Sequence, residues 1–122
     1  MAALNELERE CVQRFCALLR ERLGEQLTQV RMFGSAARGD MWPARSPMHS
    51  DVDLLIVTGE PVAEREQEVL VNEIYPLYLE CGRQISPHFH DERSLAEPAD
   101  ERMREFVERV ADDGVTVWPP VG

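Results

Sequence analysis

Arg31-Met32-Phe33-Gly34-Ser35-Ala36-Ala37-Arg38-Gly39-Asp40, followed by Ser50-Asp51-Val52-Asp53-Leu54-Leu55-Ile56-Val57, is the stretch that decides the fold. Gln29 to Phe33 reads as a short strand running into Gly34, where a residue without a Cβ allows a sharp turn and a close approach of ligand to main chain. Ser35 then stands at the start of a short helix, where free amides and a hydroxyl can receive phosphate oxygens. Arg38 or Arg31 could add positive charge. Asp51 and Asp53 are two positions apart, so in a strand both carboxylates leave the same face. Two like charges beside a buried aliphatic run are poorly tolerated without a counter-charge. A hard divalent ion such as Mg²⁺, or Mn²⁺ in its place, satisfies both and shares its shell with substrate phosphates. Taken singly, a Gly-Ser turn is an ordinary helix cap and an Asp-x-Asp an ordinary solvated strand edge. Strand, turn and strand in this order make the combination specific.

Outward from this stretch, Leu4, Leu7, Cys11, Phe15, Leu18, Leu19 and Leu23 recur at spacings of three and four and predict an amphipathic helix ending near Gly24. Residues 41–50, with Pro43 and Pro47, read as an exposed loop. Asp51 to Val57 is a strand with a buried aliphatic end, and residues 62–80 a helix that Pro76 should kink or restart. Gln84 to Phe89 resembles a third strand, placed at an edge or bulge by Pro87. Ser94-Leu95-Ala96-Glu97 has the form of a capping box and predicts one helix through about Val110. The tail Val115 to Pro120 is a last strand or a loose end that packs Trp118. Alternation of this kind favours a mixed α/β (α+β) layer fold, a small mixed sheet with flanking helices. At 122 residues a single domain over 1–122 is expected.

A net charge of −10 argues against extensive nucleic-acid binding, and it leaves room for a basic protein partner. All thirteen basic residues are Arg. The longest aliphatic run, Leu54 to Val57, is far too short to span a bilayer, and the start has no signal-peptide pattern, so a cytoplasmic protein is expected. Cys11, Cys16 and Cys81 have no metal-knuckle spacing. Cys11 lies in the apolar stripe and is expected to be a small buried hydrophobe in a reducing compartment.

With Gly34, Ser35, Asp51 and Asp53 in this order, the chain resembles the nucleotidyltransferase superfamily related to DNA polymerase beta, in its minimal stand-alone form. The Gly-Ser-x-Ala-Arg-Gly-Asp run from Gly34 to Asp40 matches typical members closely, and the order of elements matches over roughly residues 28–90. The resemblance implies the polymerase beta-like fold, with Asp51 and Asp53 as the catalytic, metal-holding pair and Gly34, Ser35 and Arg38 at the nucleotide. It implies metal-dependent transfer of a nucleoside monophosphate, AMP from ATP in the leading reading, to a hydroxyl acceptor. It also implies a partner, since minimal members are often paired with a HEPN-domain toxin that they neutralise. Two departures stand out. The Pro-rich loop 41–50 reads as an insertion. The family's third carboxylate on a later strand has no counterpart, because residues 82–90 carry no acid. On that strand Gln84, Ser86 and His88 share a face, His88 could act as a base, and Asp91 and Glu92 lie just beyond. The rival expectation is therefore a catalytically weakened nucleotide-binding or antitoxin module. An aminoglycoside-modifying enzyme is the less favoured third class, because such relatives carry an extra domain for the drug.

Overall fold

The computed structural model describes residues 4–39 and 51–119. The predicted loop 41–50 lies outside the described residues. In chain order the elements are α1 (Glu6–Leu23), a 3₁₀ turn (Gly24–Gln26), β1 (Leu27–Phe33), α2 (Ser35–Arg38), β2 (Val52–Thr58), α3 (Glu64–Cys81), β3 (Ile85–Asp91), α4 (Glu92–Ala96), α5 (Glu101–Asp113) and β4 (Val115–Trp118). The strands form one mixed sheet in the order β3-β2-β1-β4. β1 is antiparallel to both β2 and β4, and β2 is parallel to β3. The expected small mixed sheet with flanking helices is what the chain adopts.

Strand alternation sends two sets of side chains to opposite faces of the sheet. On one face Val30, Val52, Leu54, Ile56 and Ile85 pack with Val12, Phe15 and Leu19 of α1 and Leu70, Ile74 and Leu77 of α3. On the other, Phe33, Leu55 and Val57 meet Val110 of α5, with Leu95 of α4 and Phe106 of α5 beside them. Asp51 and Asp53 keep the phase of Leu55 and Val57, so they belong to this second face.

The start of α1 is closed by a capping box. Glu8 N–H donates to Asn5 Oδ1 at 2.8 Å, and Asn5 N–H donates to Glu8 Oε1 at 2.9 Å. The other oxygen of Glu8 accepts from Arg83 Nε at 2.6 Å, with both side chains buried. The first turn of α1 is thereby tied to the residues that lead into β3. Exposed pairs, Arg14 with Glu80 and Arg22 with Glu73 at 2.9 Å, join α1 to α3.

Helix α3 runs through Pro76 as one element, so of the kink or restart expected there the restart does not occur. Pro76 is exposed, so the carbonyl that its ring leaves without an N–H partner can be hydrated. The helix expected from Ser94 to Val110 is two helices. Asp91, rather than Ser94, caps α4, its Oδ2 accepting from Ser94 N–H at 3.2 Å and its Oδ1 from the Ser94 hydroxyl at 2.6 Å. Glu97 precedes Pro98, which disfavours helical backbone, and Asp100 restarts the chain by accepting from Met103 N–H at 2.8 Å. Finally, Cys11 is buried as expected but is disulfide-bonded, so it is not a reduced thiol. Pairing is set by tertiary contact, which spacing along one helix does not report. Cys16 is free, and burial pushes its thiol up to about 12. Val115 to Trp118 resolves to a strand, and among the described residues no helix is long and apolar enough to cross a membrane.

Candidate functional site

The turn after β1 and the start of β2 meet at one point. Gly34 has φ 74° and ψ −152°, a region essentially confined to glycine. A Cβ built on it would lie 2.9 Å from Asp53 Oδ2. The carboxylate of Asp53 is therefore seated against the backbone of the glycine corner, from which α2 departs at Ser35. Phe33 pairs with Asp53 across β1 and β2, which holds the corner and the carboxylate in register.

Strand β3 supplies the rest. Parallel pairing sets Ser86 beside Asp53 and His88 beside Leu55. The Ser86 hydroxyl donates to Asp51 Oδ2 at 3.0 Å, and His88 Nε2 lies 3.5 Å from Asp53 Oδ1. Ser86 and His88 are two residues apart on one strand face, so both carboxylates are addressed from the same side. The His88 ring is set between Phe33, with centroids 5.2 Å apart, and Phe106 of α5 at 5.9 Å. Its Nε2 is shielded from solvent and has no hydrogen-bond partner among the described residues.

The remaining candidates make contacts of their own. Arg38 Nη1 pairs with Asp113 Oδ2 at 2.8 Å, which ties α2 to the end of α5. Arg31 Nη2 donates to the Gly114 carbonyl at 2.8 Å. Asp91 pairs with Thr58, five positions beyond Ser86. It is thus roughly 16 Å along the strand from the Asp53 level at about 3.3 Å per residue. Its carboxyl is held below the usual carboxylate range by the Ser94 hydroxyl, with the Ser94 amide adding to the effect and desolvation opposing it. As a helix cap at the far end of β3 it is not available to the pair. Among the described residues no three His, Cys, Asp or Glu side chains form a ready-made metal cage.

A cleft of about 560 Å³ opens beside His88 between β3 and α5, lined by His90, Met103, Phe106, Arg102 and Arg109 among others. Burial and the neighbouring His88 lower the pKa of His90, against an opposing pull from Asp91. A larger cleft, about 770 Å³, lies further along the same sheet face, walled by Leu55, Val57, Leu95 and Val110. It does not touch the carboxylates. Sequence reasoning missed the approach of Phe106 and α5 to this face; the α5 apolar stripe said only that one side would be buried.

The glycine corner carries its own test. Gly34→Ala forces a side chain into backbone space reserved for glycine and onto Asp53, so a loss of about 1–3 kcal/mol is expected. Urea denaturation reads it. Unchanged stability would mean that the corner relaxes freely.

Comparison with known proteins bears on the family and the fold. The model of the nucleotidyltransferase domain family matches residues 12–115. Spectinomycin 9-adenylyltransferase of Enterococcus faecalis is 30% identical over 73 residues, 60% of this chain and 27% of that protein. The match thus spans about a quarter of that relative's length. A spectinomycin adenyltransferase from Enterococcus, solved with ATP and spectinomycin, superposes with a TM-score of 0.69 at 18% identity, over 93% of this chain and 56% of that one. The complex of tri-AMPylated Shewanella oneidensis HEPN toxin with MNT antitoxin gives a TM-score of 0.57 at 15% identity, over 90% of this chain and 71% of that one. At these identities the superpositions speak for the fold, and the family match speaks for descent. With that match running over most of its length, the chain belongs to the nucleotidyltransferase domain family.

Proposed function

We propose that this domain transfers a nucleoside monophosphate, AMP from ATP, to a hydroxyl, with Asp51 and Asp53 holding a divalent cation. The observation that carries the reading is the seating of Asp53 against Gly34, with Asp51 on the same strand face. The donor set fits a cation: two carboxylates on one face, approached among the described residues by one imidazole and one hydroxyl. A divalent ion held there by Asp51 and Asp53 would supply positive charge to the α-phosphate and to the departing pyrophosphate. The protein's own share is positioning. Gly34 lets the triphosphate approach the main chain, and Ser35 opens the helix whose amides receive phosphate oxygens. Ser86 orients Asp51, and Phe33 and Phe106 pack against the His88 ring beside the pair. In the reaction the acceptor oxygen forms a bond to the α-phosphorus as the bond to the β-phosphate oxygen breaks. Pyrophosphate leaves and the hydroxyl proton is released. Such chemistry asks for alignment and charge stabilisation more than for a reactive side chain.

The acceptor we favour is a hydroxyl on a HEPN-domain partner, which makes this chain the antitoxin of a toxin–antitoxin pair. The fold likeness to an MNT antitoxin bound to an AMPylated HEPN toxin supports that choice, as does the acidic net charge of −10, which suits a basic partner. The second reading, a nucleotide-binding module with weakened turnover, is favoured by one observation. The site face of β3 offers Ser86 and His88 in place of an acid, and Asp91 is engaged as a helix cap.

The test is incubation with ATP labelled at the α-phosphate, Mg²⁺ or Mn²⁺, and either a HEPN-domain protein or spectinomycin as acceptor. Label on the HEPN protein supports the leading reading, and label on spectinomycin moves the acceptor to a small molecule. Tight nucleotide binding without transfer to any acceptor establishes the module. Absence of nucleotide binding overturns all three.

A further inference from the structure

Asp53 Oδ1 and His88 Nε2 face each other at 3.5 Å across β2 and β3. The separation is too long for an N–H···O hydrogen bond, which spans about 2.7–3.2 Å, and longer still than a charge-assisted one. Yet Nε2 is shielded from solvent and has no other partner among the described residues. A buried nitrogen left without a partner costs about 1–3 kcal/mol, a cost that a bound ion or water relieves. Phe33 and Phe106 lie against the ring at centroid distances of 5.2 and 5.9 Å.

We propose that His88 Nε2 and Asp53 Oδ1 are two donors to the same divalent cation, which gives this domain a mixed nitrogen–oxygen metal site. The inference rests on the metal reading above and adds the identity of a ligand and a selectivity. Donors about 2.0–2.2 Å from one ion, at angles between square and tetrahedral, lie roughly 3.0–3.5 Å apart. The observed spacing is at the upper end of that range, so a small inward movement of either side chain completes the pair. Asp51, held by the Ser86 hydroxyl at 3.0 Å, lies on the same sheet face but does not complete a three-donor cluster with them as the side chains stand. An imidazole nitrogen changes which ion is preferred. Mg²⁺ takes oxygen ligands and gives up water reluctantly, whereas first-row transition ions accept imidazole readily. The site therefore selects Mn²⁺ or a later divalent ion over Mg²⁺.

The experiment uses Mn²⁺ alone on the nucleotide-free protein, so it does not depend on turnover. Electron spin-echo modulation reports nitrogen bound directly to the manganese. The expected result is a ¹⁴N modulation in the wild-type protein that is lost in His88→Gln and kept in His90→Gln. Isothermal titration should further show that His88→Asp shifts the Mn²⁺ to Mg²⁺ affinity ratio towards Mg²⁺ by about tenfold or more. Should His88→Gln fail to fold, selective broadening of the His88 ring signals by Mn²⁺ in the wild-type protein reads the same contact. Bound Mn²⁺ with no nitrogen coupling, or coupling that survives His88→Gln, overturns the inference and leaves the carboxylate pair intact as the metal holder. Failure of the wild-type protein to bind Mn²⁺ without nucleotide overturns this inference, and failure to bind it with ATP present overturns the metal reading as well.

Discussion

Replacing Asp53 with asparagine is expected to lower nucleotidyl transfer by about 10²–10⁴-fold while the fold survives. The side chain is isosteric, so the packing against Gly34 is kept and only the charge is lost. Without a cation, two neighbouring carboxylates repel, and neutralising one removes that repulsion. The variant should therefore be as stable as wild type or slightly more so in the absence of metal. In the presence of metal and nucleotide the order reverses. A ligand held at a hundred times its dissociation constant stabilises the protein that binds it by about 2.7 kcal/mol, and Asp53→Asn forfeits most of that gain. Transfer of labelled AMP and thermal unfolding with and without Mg²⁺ and ATP read the two effects separately. Full activity in the variant would remove Asp53 from the mechanism. Lost activity with a lower metal-free stability would make the residue structural.

The largest effect on stability is expected at Glu8. Its carboxylate is 5% exposed and meets Arg83, itself 6% exposed, at 2.6 Å, while its second oxygen closes the capping box of α1. Glu8→Ala removes the buried carboxylate that faces the Arg83 guanidinium, and breaking a buried pair from one side costs about 3–5 kcal/mol. Loss of the box adds roughly 1 kcal/mol. Against a total stability on the order of 5–15 kcal/mol for a domain, the variant sits near unfolding at ambient temperature. Adding Arg83→Met should recover part of the loss, because an apolar chain of similar length carries no charge to be kept out of water. A double-mutant cycle in urea measures that coupling, and strictly additive losses would refute it. The pair matters to the site as well. Arg83 stands two residues before β3, and Val52 N–H donates to the Gln84 carbonyl at 2.9 Å. The anchor thus helps fix the register that sets Ser86 and His88 against Asp51 and Asp53.

Much of this protein is legible residue by residue. The spacing from Leu4 to Leu23 predicts α1 and the face that it buries, and the structure puts Cys11, Phe15 and Leu19 in the interior. The edge position of the strand containing Pro87 follows from a missing N–H, and β3 is indeed the edge of the sheet. The glycine corner and the shared face of Asp51 and Asp53 also follow from backbone freedom and the two-residue period. The misreadings came where two local signals compete. Ser94 to Glu97 looks like a capping box, but Asp91 three residues earlier is the stronger cap, and Pro98 ends the helix that Ser94 would begin.

What the amino-acid order determined alone is therefore local: which segments become helix or strand, where only glycine fits, and which side chains share a face. Those properties depend on backbone dihedrals and short periods, so neighbours in the chain suffice to specify them. Only the tertiary structure decided that Ser86 and His88 reach the aspartates, that Asp91 lies a strand's length away, and that Glu8 finds Arg83 across 75 positions. Strand partners and their register come from packing two sheet faces against α1, α3 and α5 at once, a long-range compromise that no single window of sequence contains.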